Sequence, residues 1–347
     1  MKFYRNQETP ALTFDDVQLV QQFFEGDSRS DIDLSMSLGK WKFNLPVIAS
    51  NMPTICGENM AEKMNELGGL GIIHRFMSVQ EQLDITSRWK LSSAHGNRPI
   101  AHSLGLVKKD KERYDVLVKE KAADILCIDT AHGFQQQMLD SVKYLRDIGF
   151  EGILIAGNVC THTGTWQLIH EGVDLVKVGI GPGSVCTTRI KTGCGMPQLT
   201  AIEDCATVVD GSPLYPVIAD GGITKPADIV KAMAVGASFT MIGGMLAGTD
   251  CVPGWEEDLS FINYAGNASS HTKVNFGLPD DNVEGIIKTI PTKPRGSTEK
   301  VIEYIKEGLV SGLSYNGSMN MVEHVKKAQF VRTTLAGVHE ATPHFSG

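Results

Sequence analysis

Eight short apolar runs, separated by amphipathic segments, constrain the fold of this 347-residue chain more than any other feature of its sequence. Most of the runs are apolar throughout rather than alternating, which is typical of strands that are buried on both faces. The runs are Pro46–Ala49, Gly69–Ile73, Ile100–Leu104, Ile125–Ile128, Ile153–Ala156, Leu175–Val178, Pro216–Ala219 and Phe239–Ile242.

Segments with helix-like periodicity lie between and after these runs. They cover residues 57–67, 110–121, 135–148, 163–170, 200–209, 226–235 and 298–312. Eight strand–helix units in one chain predict an α/β fold, a (β/α)8 TIM barrel that forms a single domain over residues 1–347. A doubly wound dinucleotide-binding sheet is the competing fold, but Ser184 stands where the glycine fingerprint of that fold needs its last glycine.

Composition narrows the class of protein. The net charge is −8 and no long basic run occurs, which argues against nucleic acid or a membrane surface as a partner. Seven cysteines without paired spacing indicate a reduced, cytoplasmic protein. The first residues contain no apolar signal-peptide core, and no apolar stretch reaches the roughly 18 residues that a membrane span needs.

Two connections differ from those of a plain barrel. The stretch from Arg75 to Asn97 is too short to hold an inserted domain. By contrast, the stretch from Ala247 to Lys300 is far longer than the usual limit of about 12–15 residues for a structureless connection. Such long loops are commonly functional, so we predict an active-site flap at about residues 248–298.

Polar residues follow nearly every apolar run. In a parallel barrel the carboxyl ends of the strands meet on one face, which carries the active site. The segments that follow the runs are Ser50–Met52, His74–Phe76, Asp129–Gly133, Gly157–Asn158, Asp220–Ile223 and Gly243–Met245. The sequence therefore predicts one polar site built from many strand ends.

Glycine pairs follow the last two runs. Backbone N–H groups at Gly221–Gly222 and Gly243–Gly244 suit a phosphate, which barrels commonly bind at this place. Asp220, directly before the first pair, suits the two hydroxyl groups of a ribose. The alternative is that these glycines only permit tight turns. We predict a phosphorylated ribose substrate.

The segment Lys177–Arg189 carries three closely spaced glycines and then Cys186. Glycines let the backbone approach a ligand closely, and the groups of such a loop can face an anion or a cation. Cys186 is either a small buried apolar residue or a nucleophile, and a nucleophile needs a nearby base. Thr188 is within reach but needs a carboxylate behind it, for which Glu284 on the flap is the candidate.

Taken together, these residues resemble the IMP dehydrogenase/GMP reductase family across essentially the whole chain. The motifs that carry the resemblance are GIGPGSVCTTR (179–189), IADGGI (218–223), MIGGMLAG (241–248), DTAHG (129–133), AGNV (156–159) and YAGNAS (264–269). The resemblance implies a (β/α)8 barrel, a homotetramer, and GMP or IMP as the substrate.

The resemblance also implies roles for individual residues. Cys186 would attack purine C2 and form a thioimidate, with Thr188 and Glu284 relaying protons. The implied substrate-binding residues are Ser184, Asp220, Gly221, Gly222, Gly243, Gly244, Tyr264, Gly266, Asn267 and Ser269. The implied residues for a nicotinamide dinucleotide are Asp129, Thr130, Ala131, Ile180, Gly181, Arg75, Ser28, Arg29 and Tyr315. The carbonyl groups implied to hold a potassium ion belong to Gly181, Gly183 and Cys186.

The flap suggests which branch of the family is the more similar. Dehydrogenases activate water with an Arg–Tyr pair on the flap, and residues 269–276 contain no such pair. Asn282–Gly285 resembles the reductase branch, which implies NADPH-dependent conversion of GMP to IMP and ammonia. Two residues depart from that branch, because Asp281 replaces a common arginine and Asn267 replaces methionine or serine.

Two alternatives remain open on sequence alone. The first is an IMP dehydrogenase that lacks the regulatory domain and oxidises IMP to XMP with NAD. The second, from a different class, is a phosphosugar isomerase without redox chemistry, or a nucleotide-binding barrel. Neither protein of the second kind needs Cys186, so substitution of this cysteine separates them from the first two.

Overall fold

The computed structural model describes residue 4, residues 9–92, 98–208, 216–292 and 296–341, and residue 343. Its strands are β1 Val17–Leu19, β2 Met36–Leu38, β3 Trp41–Phe43, β4 Val47–Ala49, β5 Leu70–Gly71, β6 Ala101–Leu104, β7 Ile125–Asp129, β8 Ile153–Val159, β9 Leu175–Val178, β10 Val217–Asp220, β11 Phe239–Ile242, β12 Phe261–Ala265, β13 Ile287–Pro291 and β14 Phe330–Arg332. Its α-helices are α1 Glu58–Glu66, α2 Val79–Leu91, α3 Val107–Lys119, α4 Gln136–Asp147, α5 His162–His170, α6 Thr188–Thr192, α7 Gln198–Ala206, α8 Pro226–Ala234, α9 Ser270–Asn275, α10 Thr298–Tyr315, α11 Met321–Lys327 and α12 Leu335–Glu340.

Strands β4 to β11 form one parallel sheet in the order β5-β4-β11-β10-β9-β8-β7-β6. The two outer strands of that order meet through a parallel bridge between Ile73 and His102. In this bridge the Ile73 N–H donates to the Ala101 carbonyl and the Ser103 N–H donates to the Ile73 carbonyl, each over 2.9 Å. The sheet therefore closes, which confirms the predicted (β/α)8 barrel and rules out the doubly wound sheet.

The barrel strands are mostly apolar because both of their faces are covered. Every residue of β4, β6, β9 and β11 is buried. Helices pack around the outside of the sheet, as α10 does against α8. All seven cysteines are free thiols, and none of the helices in the described ranges is long and apolar enough to cross a membrane.

All eight predicted strands are present, and the helix boundaries shift by a few residues. The helix predicted at 298–312 continues to Tyr315. The helix predicted at 200–209 begins at Gln198 and ends at Ala206, and Val209 lies outside the described residues. The connection after Arg75 holds only α2 in its described part, which agrees with the absence of an inserted regulatory domain.

The flap forms an antiparallel hairpin with a short helix between its strands. Strand β12 pairs with β13 from Phe261–Pro291 to Ala265–Ile287, and α9 lies in the connection. Residues 293–295, near the end of the predicted flap, lie outside the described residues. The hairpin brings several residues between Tyr264 and Glu284 over the carboxyl ends of the barrel strands, where they line the cavity described next.

Candidate active site

A cavity of about 460 Å³ lies at the carboxyl ends of the barrel strands and beneath the flap. Most of the site residues predicted from the sequence line this cavity. These are Arg75, Asp129, Thr130, Ala131, Gly181, Gly183, Ser184, Cys186, Thr188, Asp220, Gly221, Gly222, Gly243, Gly244, Tyr264, Gly266, Asn267 and Glu284. The fold thus brings together residues that are up to 209 positions apart in the chain.

The cysteine loop follows β9 directly, and glycine is required at its first turn. Gly179 has a φ of +150°, and a Cβ placed on it would lie 2.0 Å from the carbonyl oxygen of Asp220. Gly181 has a φ of +77°, in the left-handed region that favours glycine. Arg189 braces the loop, because its Nε donates to the Ile180 carbonyl over 2.9 Å. The loop is therefore held tightly before it presents Cys186.

Three side chains form a continuous hydrogen-bonded chain at the end of this loop. The Cys186 Sγ lies 3.2 Å from the Thr188 Oγ1, and the Thr188 hydroxyl donates to the Glu284 Oε2 over 2.6 Å. A hydroxyl that contacts both a thiol and a carboxylate can pass a proton between them. Burial raises the pKa of the Cys127 and Cys205 thiols to about 12, and neither of these thiols lines the cavity.

Main-chain hydrogen bonds fix the flap carboxylate in this position. The Glu284 carbonyl accepts from the Thr187 N–H over 2.9 Å, and its own N–H donates to the Ala268 carbonyl over 3.0 Å. Two residues further on, the Ile286 N–H donates to the Val185 carbonyl over 2.9 Å. The segment that carries Glu284 is thus bridged on one side to the cysteine loop and on the other to the first half of the flap.

Lys177 lies at the centre of the cavity floor, between two of the predicted carboxylates. Its Nζ is 2.5 Å from the Asp129 Oδ1 and 3.2 Å from the Asp220 Oδ2. Burial opposes the charged form of this lysine, but the two carboxylates outweigh that effect and raise its pKa. Burial likewise opposes ionisation of Asp129, and the Lys177 ammonium holds the pKa of that carboxyl below its usual value.

The glycine pairs and Tyr264 also line the cavity. Gly221 and Gly222 have φ values of +92° and +79°, which keep the backbone in a turn that other residues adopt only with strain. A Cβ placed on Gly243 would lie 3.0 Å from the Tyr264 hydroxyl. The flap tyrosine therefore packs closely over the turn after β11.

Comparison with known proteins assigns the family. The sequence model described as "IMP dehydrogenase / GMP reductase domain" matches residues 11–344. The chain belongs to this family. It is therefore an oxidoreductase, and the resemblance found in its motifs is confirmed.

Relatives from both branches of the family are similar to this chain. A GMP reductase of Pediococcus pentosaceus is 36% identical over 326 residues, which cover 92% of this chain and 95% of that protein. An IMP dehydrogenase of Cryptosporidium parvum is 33% identical over 390 residues and covers 96% and 95% of the two chains. A cysteine-to-alanine variant of GMP reductase from Trypanosoma brucei, solved in complex with guanosine 5'-monophosphate, superposes with a TM-score of 0.87 at 25% identity and covers 98% of each chain.

The carbonyl groups that the family resemblance assigns to a monovalent cation are compatible with one. Within the described residues, the Gly183 carbonyl accepts one hydrogen bond, from the Cys186 N–H over 3.0 Å. The carbonyls of Gly181 and Cys186 accept no main-chain hydrogen bond from the described part of the chain. Oxygen lone pairs thus remain available, as oxygen ligation of a hard cation requires.

Two nominated residues lie beside the cavity rather than on its wall. Ser269 is 1% exposed and caps α9, where its Oγ accepts from the Thr272 N–H over 3.2 Å. Ile180 contributes its carbonyl to Arg189 and does not line the cavity. Both residues therefore support the site through the backbone geometry of the flap and of the cysteine loop.

Three nominated cofactor residues lie in another part of the molecule. Arg29 and Tyr315 line a separate cleft, where the guanidinium carbon lies 5.3 Å from the centroid of the tyrosine ring. Ser28 caps the short helix Arg29–Asp31 by accepting from the Ser30 N–H. The structure does not bring these residues to the cavity that holds Cys186.

Several polar residues of the cavity were not predicted as site residues, among them Asn51, Asn158 and Lys177. The Asn158 Nδ2 donates to the Asp220 Oδ2 over 2.9 Å, and the Lys177 ammonium contacts the Asn51 Oδ1 at 3.4 Å. One signal was available, since a lysine inside a buried apolar strand requires a charged partner. For Asn51 and Asn158, the sequence offers only their positions directly after or near the end of a strand as a sign of a role in the site.

Proposed function

We propose that this protein is a GMP reductase that uses NADPH to convert GMP into IMP and ammonia through a covalent intermediate on Cys186. The observation that carries the proposal is the chain of contacts from the Cys186 sulfur through Thr188 to the Glu284 carboxylate. The lack of an Arg–Tyr pair in residues 269–276 supports the reductase over the dehydrogenase, because water activation is the step that distinguishes the dehydrogenase.

The proposed reaction begins when the Cys186 sulfur attacks purine C2 and forms a C–S bond. The bond from C2 to the exocyclic amine then breaks, and the amine leaves as ammonia with the proton that the thiol has lost. Thr188 and Glu284 carry that proton, since their oxygen atoms are 2.6 Å apart and the hydroxyl also contacts the sulfur. A nicotinamide dinucleotide would supply the hydride that reduces C2, while the C–S bond breaks and IMP forms.

Other residues of the cavity bind the reactants in this proposal. Asp220 accepts hydrogen bonds from the ribose hydroxyls, and the turns at Gly221–Gly222 and Gly243–Gly244 bind the phosphate. Asp129, Thr130 and Ala131 hold the nicotinamide end of the cofactor, with Arg75 nearby. A potassium ion bound by the carbonyls of the cysteine loop would neutralise charge near the nucleotide. We further propose that the enzyme works as a homotetramer in the cytoplasm.

The assay that tests this function uses purified protein with GMP and NADPH. We expect loss of the nicotinamide absorbance together with release of one ammonia per NADPH. Cys186→Ala should lower turnover by several orders of magnitude while GMP binding, measured by calorimetry, persists. Unchanged turnover in that variant would contradict the covalent mechanism and would favour a barrel that does not need the cysteine.

IMP dehydrogenase is the second candidate, because the C. parvum dehydrogenase is 33% identical over 96% of this chain. The same protein sample with IMP and NAD separates the two functions. If XMP forms in this reaction and GMP with NADPH does not react, the reductase proposal is wrong.

A further inference from the structure

Lys177 is buried inside the barrel, and its ammonium contacts one carboxylate on each of two other strands. Its side chain is 3% exposed, and its Nζ lies within 3.2 Å of a carboxylate oxygen of Asp129 and of Asp220. Asp129 ends β7 and Asp220 ends β10, so the two carboxylates reach the ammonium from different sides of the cavity. A buried cation between two carboxylates leaves one net negative charge.

Apart from the two carboxylates, the side chains that contact this ammonium are neutral. Strand β11 contributes the Met241 Sδ at 3.9 Å, and the turn after β4 contributes the Asn51 Oδ1 at 3.4 Å. The Cys127 thiol of β7 is close enough to interact electrostatically, but burial raises its pKa to about 12 and keeps it protonated. Arg75 acts on Asp129 from the turn after β5 through its charge, without a hydrogen bond to that carboxylate among the described contacts.

Each carboxylate that contacts Lys177 also accepts a hydrogen bond from an asparagine side chain. The second oxygen of Asp129 accepts from the Asn267 Nδ2 over 3.2 Å, and Asn267 belongs to the flap. The Asp220 Oδ2 accepts from the Asn158 Nδ2 over 2.9 Å, and the same Nδ2 donates to the Gly179 carbonyl at the start of the cysteine loop. The lysine is thus connected to both the flap and the cysteine loop.

We propose that Lys177 is a positioning residue that keeps Asp129 and Asp220 ionised and correctly oriented on the two sides of the cavity. The inference rests on the proposed function, in which Asp129 faces the cofactor and Asp220 accepts hydrogen bonds from the ribose. Two partly buried carboxylates that share one ammonium repel each other, so without Lys177 one of them takes up a proton more readily. A protonated Asp220 donates a hydrogen bond and accepts fewer, and it then fits a ribose diol less well.

The test compares K177M with a matched variant, K231M. Lys231 is also a buried lysine, 4% exposed, but its Nζ donates to the Phe14 carbonyl over 2.9 Å and it does not line the cavity. K231M therefore measures the cost of removing a buried ammonium elsewhere in the fold. K177R, which keeps the cation, serves as the conservative variant. Both kcat/KM and the thermal midpoint are measured from pH 5.5 to 8.5.

We expect K177M to lower kcat/KM by about 100-fold or more at pH 8, as when one partner of a buried ion pair is removed. Its pH profile should gain an inflection that the unsubstituted protein lacks. A carboxyl whose pKa is raised in the folded state binds its proton more tightly there than in the unfolded chain, so it stabilises K177M at low pH and this gain is lost as the pH rises. The difference in thermal midpoint from the unsubstituted protein should therefore be larger at pH 8 than at pH 5.5.

K177R should recover activity to within about tenfold and show no new inflection, and K231M should leave the pH profile of kcat/KM unchanged. A K177M profile parallel to that of the unsubstituted protein, with a midpoint difference that does not vary with pH, would overturn the proposal. If K177M does not fold, K177M/D129N replaces it. The proposal requires this double variant to fold, since D129N removes one of the two negative charges that Lys177 balances. A double variant as unstable as K177M would therefore also overturn the proposal.

The outcome of this test does not depend on whether the proposed function is correct. The reaction followed is whichever of GMP reduction and IMP oxidation the unsubstituted protein catalyses, so an incorrect choice between them appears before any variant is made. The dependence of the thermal midpoint on pH needs no substrate at all. It tests the arrangement of the carboxylates around Lys177 even in a protein that catalyses neither reaction.

Discussion

Substitution of Glu284 by glutamine removes the base from the proposed relay and leaves the flap in place. The carboxylate accepts from the Thr188 hydroxyl over 2.6 Å, a short bond of the kind expected between a hydroxyl and an ionised oxygen. The segment itself is held by main-chain bonds to Thr187 and Ala268, which E284Q does not touch. We therefore expect the thermal midpoint to change little.

The size of the effect follows from the role of the carboxylate. General acid–base help contributes typically 10²–10⁴-fold, which at about 1.36 kcal/mol for each tenfold change corresponds to roughly 3–5 kcal/mol of barrier. An amide cannot take the thiol proton at neutral pH, so kcat for GMP reduction should fall by this factor. The KM for GMP should stay within about threefold, because in the proposed function Asp220 and the glycine turns bind the nucleotide elsewhere in the cavity.

The assay follows NADPH absorbance and ammonia at saturating GMP for E284Q, T188V and the double variant T188V/E284Q. Because the two residues act in series, the double variant should be no slower than the slower single variant. E307Q, an exposed carboxylate on α10, is the matched control and should keep full activity. A loss of GMP affinity as large as the loss of rate would refute the relay and would make Glu284 a residue that binds the base.

Two further predictions concern backbone strain and pH. Gly222→Ala forces alanine into a φ of +79°, which should cost about 1–2 kcal/mol of stability and raise the KM for GMP. The control is Gly149→Ala, at a φ of +89° with no atom within 4 Å of the added Cβ. This variant should lose a similar amount of stability with no change in the KM for GMP. Burial lowers the pKa of His102 to about 3, below its value of about 6.5 in the unfolded chain, so its stabilising contribution is present above pH 6.5 and is lost as the pH falls. At pH 5 that loss is about 2 kcal/mol, and H102Q should show a shallower fall of the thermal midpoint between pH 7 and pH 5; an equal fall in both proteins would contradict this reasoning.

Much of the fold could be predicted from the sequence, because strands covered on both faces leave a direct record as short apolar runs. Helix α2 left no such record. Its buried side includes Gln82 and Thr86 beside Ile85 and Trp89, so the apolar periodicity that indicates a helix is interrupted. Gln82 can be buried because it accepts a hydrogen bond from Arg113 on the neighbouring helix, a partner that the local sequence does not reveal.

The candidate site was predictable in outline, since the carboxyl ends of parallel strands always share one face of a barrel. Its connections were not. Glu284 is one of 40 acidic residues, and only the pairing of the flap with the cysteine loop brings it to Thr188, 96 positions away in the sequence. Ser269 was predicted to bind the substrate, but its hydroxyl oxygen accepts a hydrogen bond from the first turn of α9. Such competition between local capping and ligand binding depends on tertiary structure.

The main-chain bridging of the segment that carries Glu284 has a consequence for how this flap can change. Its pairing with Val185 and Ala268 uses only peptide groups, so the register of the carboxylate does not depend on which side chains surround it. Neighbouring flap positions can therefore change their side chains without moving Glu284 away from Thr188. In the proposed mechanism, contacts with the base and proton transfer at Cys186 can thus vary separately within a single hairpin.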